Sequence, residues 1–415
     1  MSSRTLPKKL ASVKPGALYA GVDLALDSNV VVVLDEGARQ LARFRFPNDR
    51  DGYDFFYGQL ERLRERHPAP EVLVGMEPTN YFWKLLAADL EQHQYGYRLV
   101  NPYTVKKHRE GDQLDRSKDD PRDAFTIGDL LRTGKYTETR LLHGGYAELR
   151  QHVTVYDRLQ RDLRRQMTLV RNTAGQLFPE LAREFKDVTG ETASALLRGH
   201  AAASRVRQLP LDIFLAEVRA DFQGQRLLVS KLRRIHALAA QSVGLTESVQ
   251  GLQLALRLQL DTLDLLQRQL NETEAALTDV FLTLPESPYL LSIRGLGLIT
   301  AAIILAEIGD PRHYRHGRQL IKLAGTQPVP NASGRKSRSQ TPMSHKGRPR
   351  LRTALFFAVL RLVQVDDAFA RDYQQLQQRD KNPLTKMAAL GVLMNKLLRI
   401  LWALMQNQTF YRSAA

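Results

Sequence analysis

Apolar positions in the first third of the chain are spaced as in strands. Residues 18–34 hold two apolar runs around a turn-like ALDSN, and the second run is a block of valines. β-Branched runs joined by Asp, Ser and Asn are typical of a β-hairpin. Alternating and short apolar runs predict further strands, and helical spacing predicts helices between them. The further strands are predicted at 41–46, 71–76 and 97–100, and the helices at 53–66, 81–91 and 123–132.

From residue 146 the spacing becomes helical. An apolar stripe predicts one helix over 146–177, which Phe178 and Pro179 end. Residues 180–225 predict only helices with loops. From Val249 a heptad register indicates a coiled coil or a helical hairpin. Its expected role is that of a spacer or an oligomerisation arm, with a direct nucleic-acid role as the alternative. A short helix and a longer one, over 299–308, are predicted on either side of a tight turn at Gly295-Leu296-Gly297. This arrangement resembles a helix-hairpin-helix, for which a plain helical turn is the alternative.

The order of these elements predicts the fold. Three antiparallel strands followed by alternating helices and strands match a ribonuclease H-like α/β domain. We therefore expect such a domain over 17–145, a helical or coiled-coil region over 146–284, and a mostly helical C-terminal domain over 285–415.

Charge and composition limit the kinds of partner that the protein is expected to bind. The 415-residue chain carries a net charge of +16 and no cysteine. A strongly basic chain favours a polyanionic partner, nucleic acid before membrane. The absence of cysteine fits a reducing cytosol, so we expect a cytoplasmic protein that associates with the nucleoid when it acts. The longest apolar run, 354–360, is too short to cross a bilayer.

Residues 311–365 contain no acidic residue. A solvated surface normally mixes both signs of charge, so this bias predicts contact with phosphates. The centre of the segment, 331–350, is rich in Ser, Gly and Pro and predicts a loop. The glycines of the helical turn would let backbone N–H groups approach a phosphate. The candidate nucleic-acid-binding residues are Gly295, Gly297, Arg335, Lys336, Arg338, Lys346, Arg348 and Arg350.

Four carboxylates in the N-terminal region are candidates for a metal site. Asp23 lies within an apolar strand, where a carboxylate is costly unless it is paired or binds a metal. Glu77 follows a predicted strand, at the end where α/β folds place active groups. Asp120 and Asp123, three residues apart, share one face of a helix, although Asp123 could instead be its N-cap. Such a set suits Mg²⁺, with Mn²⁺ as an alternative, and phosphoryl transfer.

The motifs Gly21-Val22-Asp23, Gly75-Met76-Glu77-Pro78-Thr79 and 118–124 (KDDPRDA) resemble the D-E-D-D pattern of one bacterial insertion-sequence transposase family, numbered one-ten. Its N-terminal domain is similar to the RuvC resolvase. The C-terminal motifs 295–301, 323–325 and 332–334 resemble its second, serine transposase domain. The two halves together, in this order, make the resemblance specific. The sequence departs from the pattern at Leu26, where a Lys is frequent, and at Asp119, which leaves Asp119 or Asp120 as the third acid.

The resemblance implies a recombinase that cuts and rejoins DNA with a serine nucleophile, and Ser333 is the matching serine. It implies that Asp23, Glu77, Asp120 and Asp123 bind Mg²⁺ beside that serine. It also implies a noncoding bridge RNA that guides the protein to double-stranded donor and target DNA. We expect a homo-oligomer, either a dimer or a tetramer. Ser337, Ser339 and Ser344 occupy the same loop, so the residues alone do not select Ser333.

Other functions compete with the recombinase. A RuvC-like junction nuclease would use the same acids with water as nucleophile and would tolerate loss of Ser333. A nucleic-acid-binding structural protein would need none of the acids. Actin-like sugar kinases share the fold, but they need glycine-rich phosphate loops, and the chain has none at the corresponding places.

Overall fold

The computed structural model describes residues 13–112, 120–137, 141–221, 228–329, 332–333, 336–337 and 341–413. For 109–112, 120, 221, 332–333 and 336–337 it describes the backbone alone. The chain divides into two compact units, Met1–Leu141 and Leu142–Ala415. The expected division into three domains stays a prediction.

The first unit is built on five strands, which are β1 Leu18–Asp23, β2 Ser28–Leu34, β3 Gln40–Pro47, β4 Val72–Met76 and β5 Gly96–Leu99. They form one sheet of order β3-β2-β1-β4-β5. Strand β1 pairs antiparallel with β2, which pairs antiparallel with β3, and the predicted hairpin and third strand are confirmed. On its other side β1 pairs in parallel with β4, and β4 in parallel with β5. This mixed sheet is consistent with the ribonuclease H-like expectation.

Helices cover both faces of the sheet. Alternate residues of β1, such as Ala20 and Val22, share a core with Phe56 and Leu86, whereas Tyr19 packs into a second core around Ile127. This alternation follows from the two-residue period of a strand. Helix α3 (Pro102–Asp112) was not predicted, because most of its residues lie in a charged segment. The helices are α1 Arg50–Arg66, α2 Phe82–Gln92, α3 Pro102–Asp112 and α4 Asp120–Arg132.

Glycine lets helix α4 lie directly on the central strand. A Cβ at Gly21 in β1 would overlap the Ala124 carbonyl oxygen and the Gly128 nitrogen. On the neighbouring strand, a Cβ at Gly75 would meet Leu131 Cδ2 at 3.0 Å. Gly21 and Gly75 are register partners, so the two glycines form one shallow seat for the helix.

The second unit is helical in most of its described residues. Helix α5 (Gly144–Leu177) runs beside helix α11 (Val249–Thr283). Leu163, Leu263 and Leu270 lie in one core, and Leu277 and Phe281 lie in another. Leu245 N donates to Gln176 O at the end of α5, and the opposite end of α5 packs at Leu284, so the two helices are antiparallel. The heptad seam therefore forms a hairpin within one chain. These helices and the intervening ones are α5 Gly144–Leu177, α6 Leu181–Glu184, α7 Glu191–His200, α8 Ala203–Val206, α9 Leu211–Asp221, α10 Val229–Ala240 and α11 Val249–Thr283.

The C-terminal helices close the other core of this unit. They include the two helices predicted around Gly295 and two helices that were not predicted, α14 (Arg318–Ala324) and α16 (Asp367–Gln378). Helix α17 (Lys386–Asn407) is long and apolar enough to cross a membrane, but residues such as Leu397, Leu398 and Leu401 are buried in the core, so it is accounted for as a core helix. These helices are α12 Ser287–Leu291, α13 Leu298–Ile308, α14 Arg318–Ala324, α15 Pro349–Val365, α16 Asp367–Gln378 and α17 Lys386–Asn407, with a 3₁₀ turn at Pro311–His313.

The prediction of a loop over 331–350 is wrong at both of its ends. Ala332–Ser333 (β6) and Lys336–Ser337 (β7) form a two-stranded antiparallel sheet, and α15 begins at Pro349. The reason is that the strands are only two residues long, within a stretch whose Ser, Gly and Pro content indicates turns.

Candidate active site

Three of the four predicted acids lie at one edge of the sheet. Asp23 ends β1, and Glu77 follows Met76, the last residue of β4. Val22 and Met76 are register partners in parallel strands, so the two acids leave the sheet side by side. Helix α4 starts at the same edge, because Ala124 lies over Gly21 and the helix then runs towards Leu34, which pairs with Tyr19 at the other end of β1. Asp123 therefore lies beside the carboxyl end of β1, where its side chain is 7% exposed.

The alternative reading of Asp123 as an N-cap is wrong, since Asp123 lies inside the first turn of helix Asp120–Arg132. Asp120, three residues earlier, shares its helix face by spacing. Residue 119 lies outside the described residues, so the choice between Asp119 and Asp120 stays open. Asp35, by contrast, is a turn residue: its carboxylate accepts the Arg39 N–H at 2.8 Å.

The donor set is chemically suited to a hard divalent cation, since all of its members are carboxylates. Among the side chains that the structure describes, no group of three His, Asp or Glu is placed to hold a metal ion. The Asp120 carboxylate is not among those side chains. The backbone thus brings the acids to one edge, and the metal site itself stays a proposal.

Ser333 lies near the tip of a β-arm in the second unit, which we define as residues 325–345. At its base, His345 N donates to Gly325 O at 3.0 Å and Ser344 N to Gln327 O at 2.9 Å. Nearer the tip, Ser333 pairs with Lys336, so only residues 334 and 335 connect the two strands. The four serines of the segment are therefore not equivalent. Ser344 belongs to the base of the arm, Ser333 and Ser337 to its outer end, and Ser339 lies outside the described residues.

The base of the arm is fixed to helix α17. The Thr326 hydroxyl donates to Asn395 Oδ1 at 2.6 Å, and Asn395 Nδ2 donates back to the Thr326 carbonyl at 3.2 Å. Thr326 is 1% exposed, so both hydrogen bonds are shielded from water. The positive φ of Gly325, 69°, turns the chain from α14 into the arm. Sequence reasoning missed Thr326 and Asn395, because they are 69 residues apart and the sequence around neither of them indicates this contact.

Two of the predicted phosphate-binding arginines have carboxylate partners within the protein. Arg350 forms ion pairs at 3.1 Å with both Glu307 and Asp157. Arg348 Nη1 lies 3.7 Å from Glu307 Oε2 and donates to the Glu307 carbonyl. Glu307 is buried in the last turn of α13, where a negative charge is disfavoured by the helix dipole unless it is paired. A lone Glu inside the apolar run IILAEI was the signal that sequence reasoning passed over.

Arg150 completes this cluster at the end of α13. Its Nε donates to the Ala306 carbonyl, one of the acceptors that a helix end leaves without a partner. Burial, reinforced by nearby Arg348, lowers the pKa of Arg150 to about 10. We call Arg150, Asp157, Glu307, Arg348 and Arg350 the helix-end cluster.

The two glycines of the helical turn differ in their surroundings. A Cβ at Gly295, which has a φ of 99°, would overlap Val365 Cγ2, so packing and backbone conformation require this glycine. A Cβ at Gly297 would meet no atom within 4 Å. Gly297 immediately precedes α13 and leaves the backbone N–H groups of its first turn approachable. Of the other basic candidates, Lys346 is exposed, whereas the side chains of Arg335, Lys336 and Arg338 lie outside the described part of the chain.

Two family models match the chain, one over the region that carries the acids and one over the region that carries Ser333. Residues 20–179, which carry the acids, match a transposase model of the DEDD type of IS110, and residues 287–374, which carry Ser333, match the model "Transposase IS116/IS110/IS902 family". The chain is a member of the IS110/IS116/IS902 transposase family. The family resemblance deduced from the motifs is confirmed at this level.

Two relatives are similar to this chain over most of its length, and a third over a shorter part. A Streptomyces coelicolor protein named "Mini-circle putative transposase for IS117" is 28% identical over 77% of this chain and 78% of its own. An IS116 insertion-element protein of Streptomyces clavuligerus is 23% identical over 97% of this chain and 98% of its own. A pilin gene-inverting protein of Moraxella bovis is 32% identical, but over only 29% of this chain and 37% of its own.

Proposed function

We propose that this transposase cuts and rejoins DNA by phosphoryl transfer, using Ser333 as the nucleophile. The observation that carries the proposal is the convergence of Asp23, Glu77 and Asp123 on one sheet edge within the region that matches the DEDD-type model. The similarity to a pilin gene-inverting protein supports recombination rather than hydrolysis, because inversion requires that cut ends be rejoined.

In the proposed reaction the Ser333 oxygen bonds to phosphorus, the bond to the leaving deoxyribose oxygen breaks, and that oxygen takes up a proton. The energy of the broken phosphodiester is kept in the serine–phosphate link, so the reverse attack by a new hydroxyl rejoins the strand without ATP. Asp23, Glu77, Asp120 and Asp123 would hold Mg²⁺ or Mn²⁺, which would supply activation of the attacking oxygen and stabilisation of the leaving one. Basic side chains of the arm would stabilise the charge that develops on the phosphate.

We also propose that a noncoding RNA selects the DNA. Base pairing between that RNA and donor or target DNA would read the sequence, while the protein holds phosphate backbones through charge. The net charge of +16 supports the part of this proposal in which the protein contacts phosphates. A homo-oligomer, dimer or tetramer, would bring the two DNA partners together. The heptad seam of α11 is already used within the chain, so oligomer contacts would have to use other surfaces.

The test is a reaction with the full chain, guide RNA, both DNA partners and Mg²⁺, resolved on a denaturing gel. Ser333→Ala should abolish both the covalent protein–DNA adduct and the recombinant product. Ser337→Ala and Ser339→Ala are matched controls from the same arm and should keep both. Asp23→Asn should lose cleavage while retaining nucleic-acid binding.

The second candidate, a junction nuclease that uses water, makes the opposite prediction. It shares the acids, which is why the sheet edge alone does not separate the two functions. Under it, Ser333→Ala would still cleave DNA, and no adduct would form with the unsubstituted protein either. Either of those results would overturn the serine assignment.

A further inference from the structure

The sheet edge that carries the acids also carries large apolar side chains that are exposed. Leu26 lies in the β1–β2 turn and is 67% exposed, Tyr81 follows β4 and is 58% exposed, and Tyr103 follows β5 and is 65% exposed. Strands β1, β4 and β5 are parallel, so the segments that follow them emerge at the same edge. In strand order, Leu26 and Asp23 come first, then Glu77 and Tyr81, then Tyr103.

Neighbouring residues hold each of these three side chains, or the backbone that carries it, in position. The turn that carries Leu26 is tied by Asn48, whose Nδ2 donates to the Leu26 carbonyl at 2.9 Å. The centre of the Tyr81 ring lies 4.3 Å from the centre of the buried Phe82 ring, which supports one side of Tyr81. The Tyr103 N–H donates to Asn101 Oδ1 at 2.9 Å. Exposed rings that are positioned before a partner arrives lose little conformational freedom on binding.

Positive charge accompanies the two tyrosines. Lys84 is exposed three residues after Tyr81, and Lys106 and Lys107 are exposed on the helix that begins beside Tyr103. Lys107 Nζ lies 5.1 Å from the centre of the Tyr103 ring, in cation–π distance. Aromatic rings interleaved with lysines are the combination by which proteins hold unpaired nucleic-acid strands, since bases stack on the rings and phosphates contact the charges.

We propose that Tyr81 and Tyr103 form a stacking platform for unpaired nucleobases, with Leu26 as an apolar contact at its far side. Bases inside a duplex are already stacked on their neighbours, so the platform selects nucleotides that strand opening has released. It lies beside the acids and would hold the strand next to the phosphate that reacts. The inference rests on the proposal that this edge handles nucleic acid, but it concerns binding rather than cleavage, so the two can fail separately.

The test measures binding by the full chain in EDTA, where no metal-dependent cleavage occurs. The probes are a single-stranded DNA, a single-stranded RNA and a duplex DNA of equal length, each with 2-aminopurine to report stacking. Tyr81→Ala and Tyr103→Ala should each weaken single-strand binding roughly fivefold to a hundredfold and reduce the quenching of 2-aminopurine. Duplex affinity should change little, because it depends mainly on phosphate contacts.

Two kinds of control separate stacking from damage to the fold. Tyr81→Phe and Tyr103→Phe keep the ring and should bind within about twofold of the unsubstituted chain, since stacking does not need the hydroxyl. Phe55→Ala removes an aromatic of comparable exposure, 45%, from α1. Its ring packs against Phe44 of β3, the strand at the opposite side of the sheet from β4 and β5, so this substitution should leave binding unchanged.

Loss of binding confined to DNA or to RNA supports the platform and identifies the strand it holds. Two results would overturn it. One is single-strand affinity and quenching that stay unchanged in both alanine variants, which would favour a protein partner for these tyrosines. The other is an equal loss for duplex and single strand, which would mean that the substitutions act through charge or folding.

Discussion

Replacing Arg350 distinguishes a structural arginine from a phosphate-binding one. Arg350 lies in the acid-free basic segment, from which a phosphate contact is expected, yet it pairs with Glu307 and Asp157 at 3.1 Å each. Its side chain is 26% exposed and that of Glu307 only 7%. Arg350→Met keeps most of the apolar stem and removes the charge. The variant therefore leaves the Glu307 carboxylate buried with its nearest ion-pair partner gone.

The expected loss of stability follows from that geometry. Removing one partner of a fully buried ion pair costs about 3–5 kcal/mol. The loss here is smaller, because Arg348 stays 3.7 Å from the other Glu307 oxygen and Arg350 is partly hydrated. We expect about 2 kcal/mol, which corresponds to a fall in Tm of roughly 4–8 °C for a unit of this size. The measurement is thermal unfolding of the full chain by calorimetry, read from the transition of the helical unit.

Matched variants make the result decisive. Lys346→Met removes an exposed charge four residues away and should leave Tm unchanged while it lowers the salt dependence of nucleic-acid binding by about one unit of log–log slope. Glu307→Gln removes the buried charge together with the need for its partner, so adding Arg350→Met to it should cost less than Arg350→Met alone. The reasoning is refuted if Arg350→Met keeps the Tm of the unsubstituted chain and instead lowers the salt slope.

Two other predictions concern buried polar groups of the same unit. Thr326→Val leaves the Asn395 amide without its hydroxyl partner and should lower the free energy of unfolding by about 1–3 kcal/mol in chemical denaturation, whereas Thr326→Ser should not; equal stability of the two variants would contradict the anchoring role. Burial raises the pKa of Glu286 above its ordinary 4.5, although its hydrogen bond from Tyr146 opposes the shift. A carboxyl group whose pKa is raised in the folded state stabilises the fold below its ordinary pKa, and this stabilisation is lost as pH rises through the folded-state pKa. The Tm of Glu286→Gln, measured relative to that of the unsubstituted chain, should therefore increase with pH from 4.5 and then level off. A difference that does not vary with pH would count against this assignment.

The sheet of the first unit could be predicted because its signals are local. The block Val30–Val33 predicts a strand by its β-branched residues. The strand begins at Ser28, and Asn29, which the sequence placed in the turn, lies within it, fully buried and hydrogen-bonded to Asn48. Asp23 and Glu77 could be placed at one edge because parallel strands end together. The long helices followed equally from their apolar stripes, and the boundaries differ from the predictions by a few residues at most.

Contacts between distant residues could not be predicted from those signals. Arg350 is 193 residues from Asp157 and 43 from Glu307 in sequence, so its position in a basic run suggested phosphate rather than a partner within the chain. The helix Pro102–Asp112 was missed for a related reason. Its exposed face is charged, and only Val105 at its start is buried among the described side chains.

The β-arm shows what the structure adds to the choice of nucleophile. Composition presents four serines in one loop with no ground for preferring any of them. The backbone pairing separates Ser344 from Ser333 and Ser337. Ser344 lies at a base held by Thr326 and Asn395, whereas Ser333 and Ser337 belong to the two short strands at the outer end. A nucleophile must reach a phosphate in the backbone of a DNA duplex, and it must be held in a defined position while it does so. A serine at the end of an anchored ribbon meets both requirements, and a serine at its base meets only the second. The backbone register therefore favours Ser333 and Ser337 over Ser344, and the family motif is what distinguishes Ser333 from Ser337. The adduct assay with Ser337→Ala as control tests the proposed assignment of Ser333.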